Sequence, residues 1–257
     1  MTKRYDGYLL DLDGTVYRGE ERIDAAGKFV SRLQAEGIPY LFVTNNSSKR
    51  PDQVADKLRA MGVPGAEPEK VVTPSIAAAN VLAEKMPGAS VYVIGEEGLH
   101  DAMTEKGLRV VREDADAVVI GIDRGITYEK LAGACLALQA GAEFYSTNPD
   151  VAIPTERGLL PGNGSLTAVL TTATGREPIY IGKPEAVIIE QALEMIGTKK
   201  ERTLMVGDNY DTDILAGIRA GLDTLLVHTG VTTKKLLSRY EVQPSYTADS
   251  LSEWQLD

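Results

Sequence analysis

Residues 8–17 read YLLDLDGTVY, from Tyr8 to Tyr17. The stretch begins as a buried strand, then places two carboxylates, Asp11 and Asp13, two positions apart and just before Gly14. Similar apolar runs recur at YLFVTN (40–45), VVTP (71–74), VYVIG (91–95), AVVIGI (117–122), EFYSTN (143–148), IYIG (179–182), TLMVGD (203–208) and TLLVHTG (224–230). They are short, rich in Val, Ile and Leu, and continuous rather than alternating. Strands of that kind are covered on both faces, as in the parallel sheet of an α/β fold. Amphipathic stretches of helical length lie between them, near 24–36, 51–61, 75–86, 97–106, 127–140, 164–174, 185–196 and 212–220. The chain shows no fixed-period repeat and no low-complexity segment.

In open parallel sheets, ligands bind beyond the carboxyl ends of the strands. Polar residues gather at those ends here: Asp11 and Asp13 after the first run, Thr44 and Asn45 after the second, Lys183 after IYIG and Asp208 after TLMVG. These strands come from both ends of the chain, so the middle is expected to form a separate domain inserted into the sheet.

The 257 residues suffice for one large domain or two small ones, and 43% hydrophobic with 25% charged residues is ordinary for a globular protein. No apolar run approaches the roughly 18 residues of a membrane span, and MTKRYDGY lacks the apolar region of a signal peptide. One cysteine, Cys135 in ACLALQAG, gives no disulfide framework; it reads as a small core residue, and a cytoplasmic protein is expected. A net charge of −10 excludes a general nucleic-acid binder, which needs a basic face. The same charge repels an anionic substrate, which must therefore be met by local donors or a metal.

Asp11, Asp13, Asp208 and Lys183 together describe such a site. Neighbouring carboxylates repel, and a hard divalent cation relieves the repulsion; Mg²⁺ takes one or two carboxylates plus substrate phosphate and waters. The cation and Lys183 then make the site hospitable to phosphate. Two residues apart on an extended segment, Asp11 and Asp13 share a face. One can attack phosphorus while the other protonates the leaving alcohol and later deprotonates water. Gly14 allows a tight turn that brings backbone N–H groups toward the phosphate. Thr44 and Asn45 can donate to the transferred phosphoryl oxygens.

DLDGT (11–15), TNN (44–46), GKP (182–184) and GDNYDTD (207–213) resemble, in order, the four motifs of the haloacid dehalogenase-like phosphatases. The spacing, with TPS (73–75), TNPD (147–150) and PGNGS (161–165), is similar to the NagD and p-nitrophenylphosphatase branch. The resemblance covers essentially the whole chain. It implies an α/β fold with a Rossmann-like parallel-sheet core at 1–78 and 179–257 and an inserted α/β cap at 79–178. It also implies Asp11 as nucleophile, Asp13 as general acid/base, and Thr44, Asn45 and Lys183 as phosphate-binding groups. Mg²⁺ would be held by Asp11, the Asp13 carbonyl and Asp208, with Asp213 in support. Asn148 and Asp150 would overhang the site and meet the leaving group. The implied activity is Mg²⁺-dependent hydrolysis of small phosphorylated metabolites such as sugar phosphates, nucleotides or p-nitrophenyl phosphate. The implied partners are those metabolites and, through the cap, a second copy of the chain.

Simpler readings compete at several positions. Asp211 reads as a helix cap, with Asp213 the better metal-supporting acid. PGNGS lacks the Gly-Lys-Ser/Thr of a P-loop, so Asn163 or Ser165 is expected to cap the following helix. His100 and His228 are too isolated for a triad or a zinc site. Of other functions, an aspartate-phosphorylated signalling module would be about half this length and would lack the inserted segment. A dehalogenase of the same superfamily would not need Asp13. A phosphotransferase or mutase would move phosphate between positions with little net release.

Overall fold

The computed structural model describes residues 3–155 and 157–256. Met1, Thr2, Glu156 and Asp257, which the expected segments include, lie outside the described residues. The chain divides into two compact units: Met1–Thr44 with Pro51–Val72 and Lys183–Asp257, and Asn45–Arg50 with Thr73–Gly182. The second unit thus takes in a short piece of chain directly after Thr44 as well as the middle of the sequence.

The first unit is built on six parallel strands. In spatial order they are Tyr246–Ala248, Asp223–Val227, Thr203–Gly207, Gly7–Leu10, Tyr40–Val43 and Val71–Val72. By chain position within the unit this is the 3-2-1-4-5-6 order of the Rossmann fold, reversing between Gly7–Leu10 and Thr203–Gly207. Gly7–Leu10 pairs with Thr203–Val206 on one side, and its Tyr8–Leu10 pair with Tyr40–Phe42 on the other. Both neighbours being strands, the backbone groups are satisfied and every side chain of Gly7–Leu10 is buried. Leu10, Phe29, Leu33, Phe42, Leu58, Leu204 and Leu225 form the core over which the helices Asp24–Ala35 and Pro51–Ala60 pack.

The second unit has its own parallel sheet, in the order Ile179–Tyr180, Glu143–Ser146, Ala117–Ile120, Ser90–Ile94 and Arg109–Val111. By chain position this is 2-1-3-4-5, the other common doubly wound order. Its helices are Pro74–Lys85, Glu97–Glu105, Tyr128–Gln139 and Asn163–Thr174. The expected strand VVTP ends at Val72, because Thr73 caps the first of these helices: its Oγ1 accepts from the Ile76 N–H at 3.3 Å, and Pro74 fills the first turn, where no donor is needed.

One strand sits elsewhere than expected. IYIG does not end a strand of the first unit's sheet; Ile179–Tyr180 pairs with Tyr145–Ser146 in the second. The ladder continues as Ile181 and Gly182 donate to the Ser146 and Thr147 carbonyls, and Lys183 is the first residue back in the first unit. Besides the edge strands Arg109–Val111 and Tyr246–Ala248, two short hairpins were not expected: Tyr17–Arg18 with Glu21–Arg22, and Ala152–Thr155 with Gly158–Pro161. Cys135 is half-buried against the second unit's core rather than enclosed in it. Among the described residues, no helix is long and apolar enough to cross a membrane.

Candidate active site

The sheet order reverses beside Gly7–Leu10, and the acids collect at that reversal. The strand ends at Leu10, and the Asp11 N–H still donates to Val206 O at 2.9 Å. The chain then curls, with Leu12 O accepting from the amides of Thr15, Val16 and Tyr17. Asp11 and Asp13 therefore do not share a strand face: Asp11 is buried at 7% exposure and Asp13 is exposed. The expected alternation fails because the extended segment stops before the first acid.

Lys183 is enclosed at 1% exposure, and its ammonium makes three contacts. Nζ lies 2.5 Å from Asp11 Oδ1 and 2.8 Å from Asp213 Oδ1, and donates to Val43 O at 2.9 Å. An ammonium carries three protons, so each contact takes one. Burial alone would lower the Lys183 pKa, but the Asp11 and Asp213 carboxylates outweigh it and hold the group charged, above the usual lysine range.

Asp208, 1% exposed, follows the Thr203–Gly207 strand and is held on all its oxygens. Oδ1 accepts from Thr15 Oγ1 at 3.2 Å, Oδ2 from the Val231 N–H at 2.7 Å, and the backbone carbonyl from the Thr232 N–H at 3.0 Å. Two glycines let the chain come that close. A Cβ on Gly14, whose φ is +92°, would stand 2.4 Å from the Asp208 carboxyl carbon, and one on Gly230 would stand 1.9 Å from Oδ2. The Gly14 N–H itself donates to Tyr17 O at 2.7 Å, so close approach, not amide donation, is what this glycine provides. Asp213 accepts from the Asn209 N–H at 3.0 Å in addition to its Lys183 contact.

Three buried carboxylates thus lie beside one ammonium, which pairs with two of them, Asp11 and Asp213. Asp11, Asp208 and Asp213 each present an oxygen, all within 4.8 Å of one another. Burial, reinforced by Asp213, pushes Asp11 well above the usual carboxylate range against the pull of Lys183. Burial and Asp213 likewise push Asp208 up to about 6, against the Val231 and Thr15 donors. The protein has gathered more negative charge than it neutralises. A hard divalent cation fits such an all-oxygen donor set.

Thr44 follows the Tyr40–Val43 strand, is buried, and donates its N–H to Val72 O at 3.1 Å. Asn45, Asn148 and Asp150 are brought together in the second unit: Asn148 Nδ2 donates to Asn45 O at 2.7 Å and Asn45 Nδ2 donates to Asp150 Oδ2 at 3.2 Å. Two expected caps are replaced. Asp211 accepts from the Tyr240 hydroxyl at 2.8 Å, while Asn209 caps the turn by accepting from the Asp211 N–H. Gly162 stands at the N-cap of Asn163–Thr174 with no side-chain bond, because the Asn163 and Ser165 side chains donate instead to the carbonyls of Asn148 and Val151. Sequence reasoning missed Thr15 and the Thr229–Thr232 loop as supports of Asp208. Their only signal was position, GT after the acids and TGVTT beyond the last apolar run.

A Rossmann-ordered sheet with buried acids and a lysine at its reversal point defines an α/β enzyme that handles phosphoryl groups or similar anions. Comparison with known proteins makes this specific. Residues 8–109 match the model of the haloacid dehalogenase-like hydrolases, and residues 180–254 match a second, HAD-hydrolase-like model. The chain is 59% identical over 252 residues to the 5'-nucleotidase YutF of Bacillus subtilis, covering 98% of each protein. It is 52% identical to the acid sugar phosphatase of Staphylococcus aureus, covering 98% of this chain and 97% of that one. A crystal structure of a double-mutant thermostable NPPase from Geobacillus stearothermophilus superposes with a TM-score of 0.94 at 55% identity, covering 99% of this chain and 100% of that one. The chain belongs to the haloacid dehalogenase-like hydrolases, among their phosphatases, with a Rossmann-like core and an inserted α/β cap domain.

Proposed function

We propose that the protein is a Mg²⁺-dependent phosphomonoester hydrolase that works through an aspartyl-phosphate on Asp11. The observation that carries this reading is the cluster of three buried carboxylates, Asp11, Asp208 and Asp213, of which the Lys183 ammonium pairs with Asp11 and Asp213 alone. Asp11, the Asp13 carbonyl and Asp208 would hold the cation, with Asp213 behind them. When bound, it supplies positive charge that lets a phosphate dianion approach the carboxylates.

An Asp11 oxygen attacks phosphorus and the bond from phosphorus to the alcohol oxygen breaks. Asp13, which faces solvent, gives its proton to the departing oxygen. Asp13 then takes a proton from water, which attacks the phosphoryl group, releasing inorganic phosphate and restoring Asp11. Lys183 fixes the Asp11 carboxylate and offsets charge on the phosphoryl oxygens; Thr44 and Asn45 donate to those oxygens.

The names of the relatives, among them a Bacillus subtilis p-nitrophenyl phosphatase of known structure, point to a nucleotide, a sugar phosphate and a nitrophenyl ester, three unlike alcohols on one phosphate. The substrate class is therefore small phosphorylated metabolites, with the inserted unit, expected over 79–178, as the specificity domain. Two copies are expected to pair through that unit, where Leu136 and Val169 are 66% and 44% exposed on its helices. The lone thiol of Cys135 agrees with a cytoplasmic enzyme.

The test is phosphate release from a panel of esters with and without Mg²⁺. Asp11→Asn is expected to abolish release, and full activity in that variant would sink the reading. Net release of phosphate, rather than its transfer to a second position of the same molecule, separates a hydrolase from a mutase.

A further inference from the structure

Asn148 and Asp150 belong to TNPD, Asn163 to PGNGS, and the structure joins the two motifs inside the second unit. Asn148 is 4% exposed, and its side-chain Nδ2 donates to the Asn45 carbonyl at 2.7 Å. The Asp150 carboxylate accepts from Asn45 Nδ2 at 3.2 and 3.4 Å, so the backbone and side chain of Asn45 are gripped by the same loop. Asn148 Oδ1 accepts from the Asp150 N–H at 3.1 Å, which fixes the two gripping residues to each other.

A buried polar network stands behind that loop. The Asn148 carbonyl accepts from Asn163 Nδ2 at 2.7 Å and from Ser146 Oγ at 3.2 Å. Asn163 Nδ2 also donates to Ser146 Oγ at 2.9 Å, and Thr167 Oγ1 lies 2.9 Å from the same hydroxyl. Ser146, Asn163 and Thr167 are all buried, and the bonds of the Asn163 amide nitrogen and the two hydroxyls tie these residues to the loop, although Asn163 Oδ1 itself accepts no bond among the described residues. The glycines flanking Asn163 serve the same packing. A Cβ at Gly162 would stand 2.2 Å from Asp150 O, and one at Gly164 would stand 2.2 Å from Pro149 O. PGNGS is thus built to receive the TNPD backbone.

We propose that Asn148, Asp150 and Asn163 are positioning residues that act on the reaction through Asn45, and that they do not read the leaving group. The inference rests on the reading of Asn45 as a group that contacts the transferred phosphate. A residue that orients a phosphate donor affects every phosphate ester alike. A residue that touches the alcohol affects some esters and spares others.

The experiment compares p-nitrophenyl phosphate, adenosine monophosphate and glucose 6-phosphate, with inorganic phosphate as a competitive inhibitor that has no leaving group. Asp150→Ala is expected to lower kcat/KM roughly ten- to a hundred-fold, by a similar factor for all three esters. It should weaken inhibition by inorganic phosphate in step. Asp150→Asn, which keeps an acceptor for Asn45 Nδ2, should recover most of the loss. Asn163→Ala should reproduce the uniform loss from a position that touches neither Asn45 nor any ester. Asp150 is partly exposed, so its variants should fold even if Asn163→Ala does not; melting temperatures check this. Losses that differ between esters by more than about ten-fold (roughly 1.4 kcal/mol), with inhibition by inorganic phosphate unchanged, overturn the proposal. Asp11→Asn is assayed in parallel. Retained release there overturns the phosphatase mechanism, whereas ester-dependent losses overturn only the positioning role.

Discussion

Lys183→Met removes the one ammonium among three buried carboxylates and leaves a side chain of similar length. Its Nζ contacts Asp11 at 2.5 Å, Asp213 at 2.8 Å and Val43 O at 2.9 Å, and the side chain is 2% exposed. Removing one partner of a buried ion pair costs about 3–5 kcal/mol, because the charge left behind is neither solvated nor paired. Here two carboxylates and a carbonyl lose their partner at once, so the upper part of that range applies to the metal-free protein. For a chain of this size, each kcal/mol moves Tm by about 2–4 °C, so a fall of about 10 °C or more is expected. A bound divalent cation restores part of the lost compensation. Mg²⁺ should therefore raise the melting temperature of the variant by more than it raises that of the wild type. The assay is thermal unfolding of both proteins in EDTA and in excess MgCl₂. A Lys183→Met protein that melts within about 2 °C of the wild type in EDTA would refute the reasoning, because the ammonium would then not be what makes the carboxylate group tolerable.

Other substitutions probe separate parts of the account. Gly230→Ala puts a Cβ 1.9 Å from Asp208 Oδ2, so it should displace that carboxylate and raise the Mg²⁺ concentration for half-maximal activity at least about ten-fold, as read from a Mg²⁺ titration. Asp13→Asn should slow glucose 6-phosphate hydrolysis more than p-nitrophenyl phosphate hydrolysis, since nitrophenolate leaves with little need of a proton; equal losses would remove Asp13 as the acid. Burial and nearby Lys130 hold the His100 pKa below its ordinary value, so the folded state binds this proton less readily than the unfolded chain. Its contribution to stability is then full above the unfolded pKa and is lost as pH falls through the folded value. Urea unfolding below pH 6.5 should show a shallower acid decline in His100→Gln than in the wild type.

The sequence carried the architecture well wherever both faces of a strand were covered. Leu9, Leu10, Val118 and Val119 are fully buried, and burial of that kind writes itself as a continuous apolar run. Edge and surface elements left no such mark: Val110 is 40% exposed in the edge strand Arg109–Val111, and the residues of Gly158–Pro161 are exposed throughout. Which sheet IYIG joins depends on its pairing with Tyr145 and Ser146, and no local pattern encodes that choice. Asp11 and Asp208 were legible because charged groups directly after apolar strands need partners, and each found one, whereas Lys183 was legible from GKP between an apolar run and a helix. Thr15, Val231 and Thr232 were not, because a threonine hydroxyl or a backbone amide gains its role only from what it faces in the fold. The apparent strand geometry of Asp11 and Asp13 misled for the same reason, since the curl after Leu10 follows from Leu12 O accepting three amides. Asn163 looked like a helix cap because caps are local, whereas its actual partner, the Asn148 carbonyl, lies 15 positions back in the chain.

The central claim is that Asp11 carries the phosphoryl group between two half-reactions. Enzyme mixed with p-nitrophenyl phosphate and Mg²⁺, quenched in acid during turnover and digested, can be examined by mass spectrometry for phosphoryl adducts. The account predicts one substrate-dependent adduct on the peptide containing Asp11, absent from Asp11→Asn. An adduct on any other residue, or an Asp11→Asn protein that still turns over substrate, would contradict it.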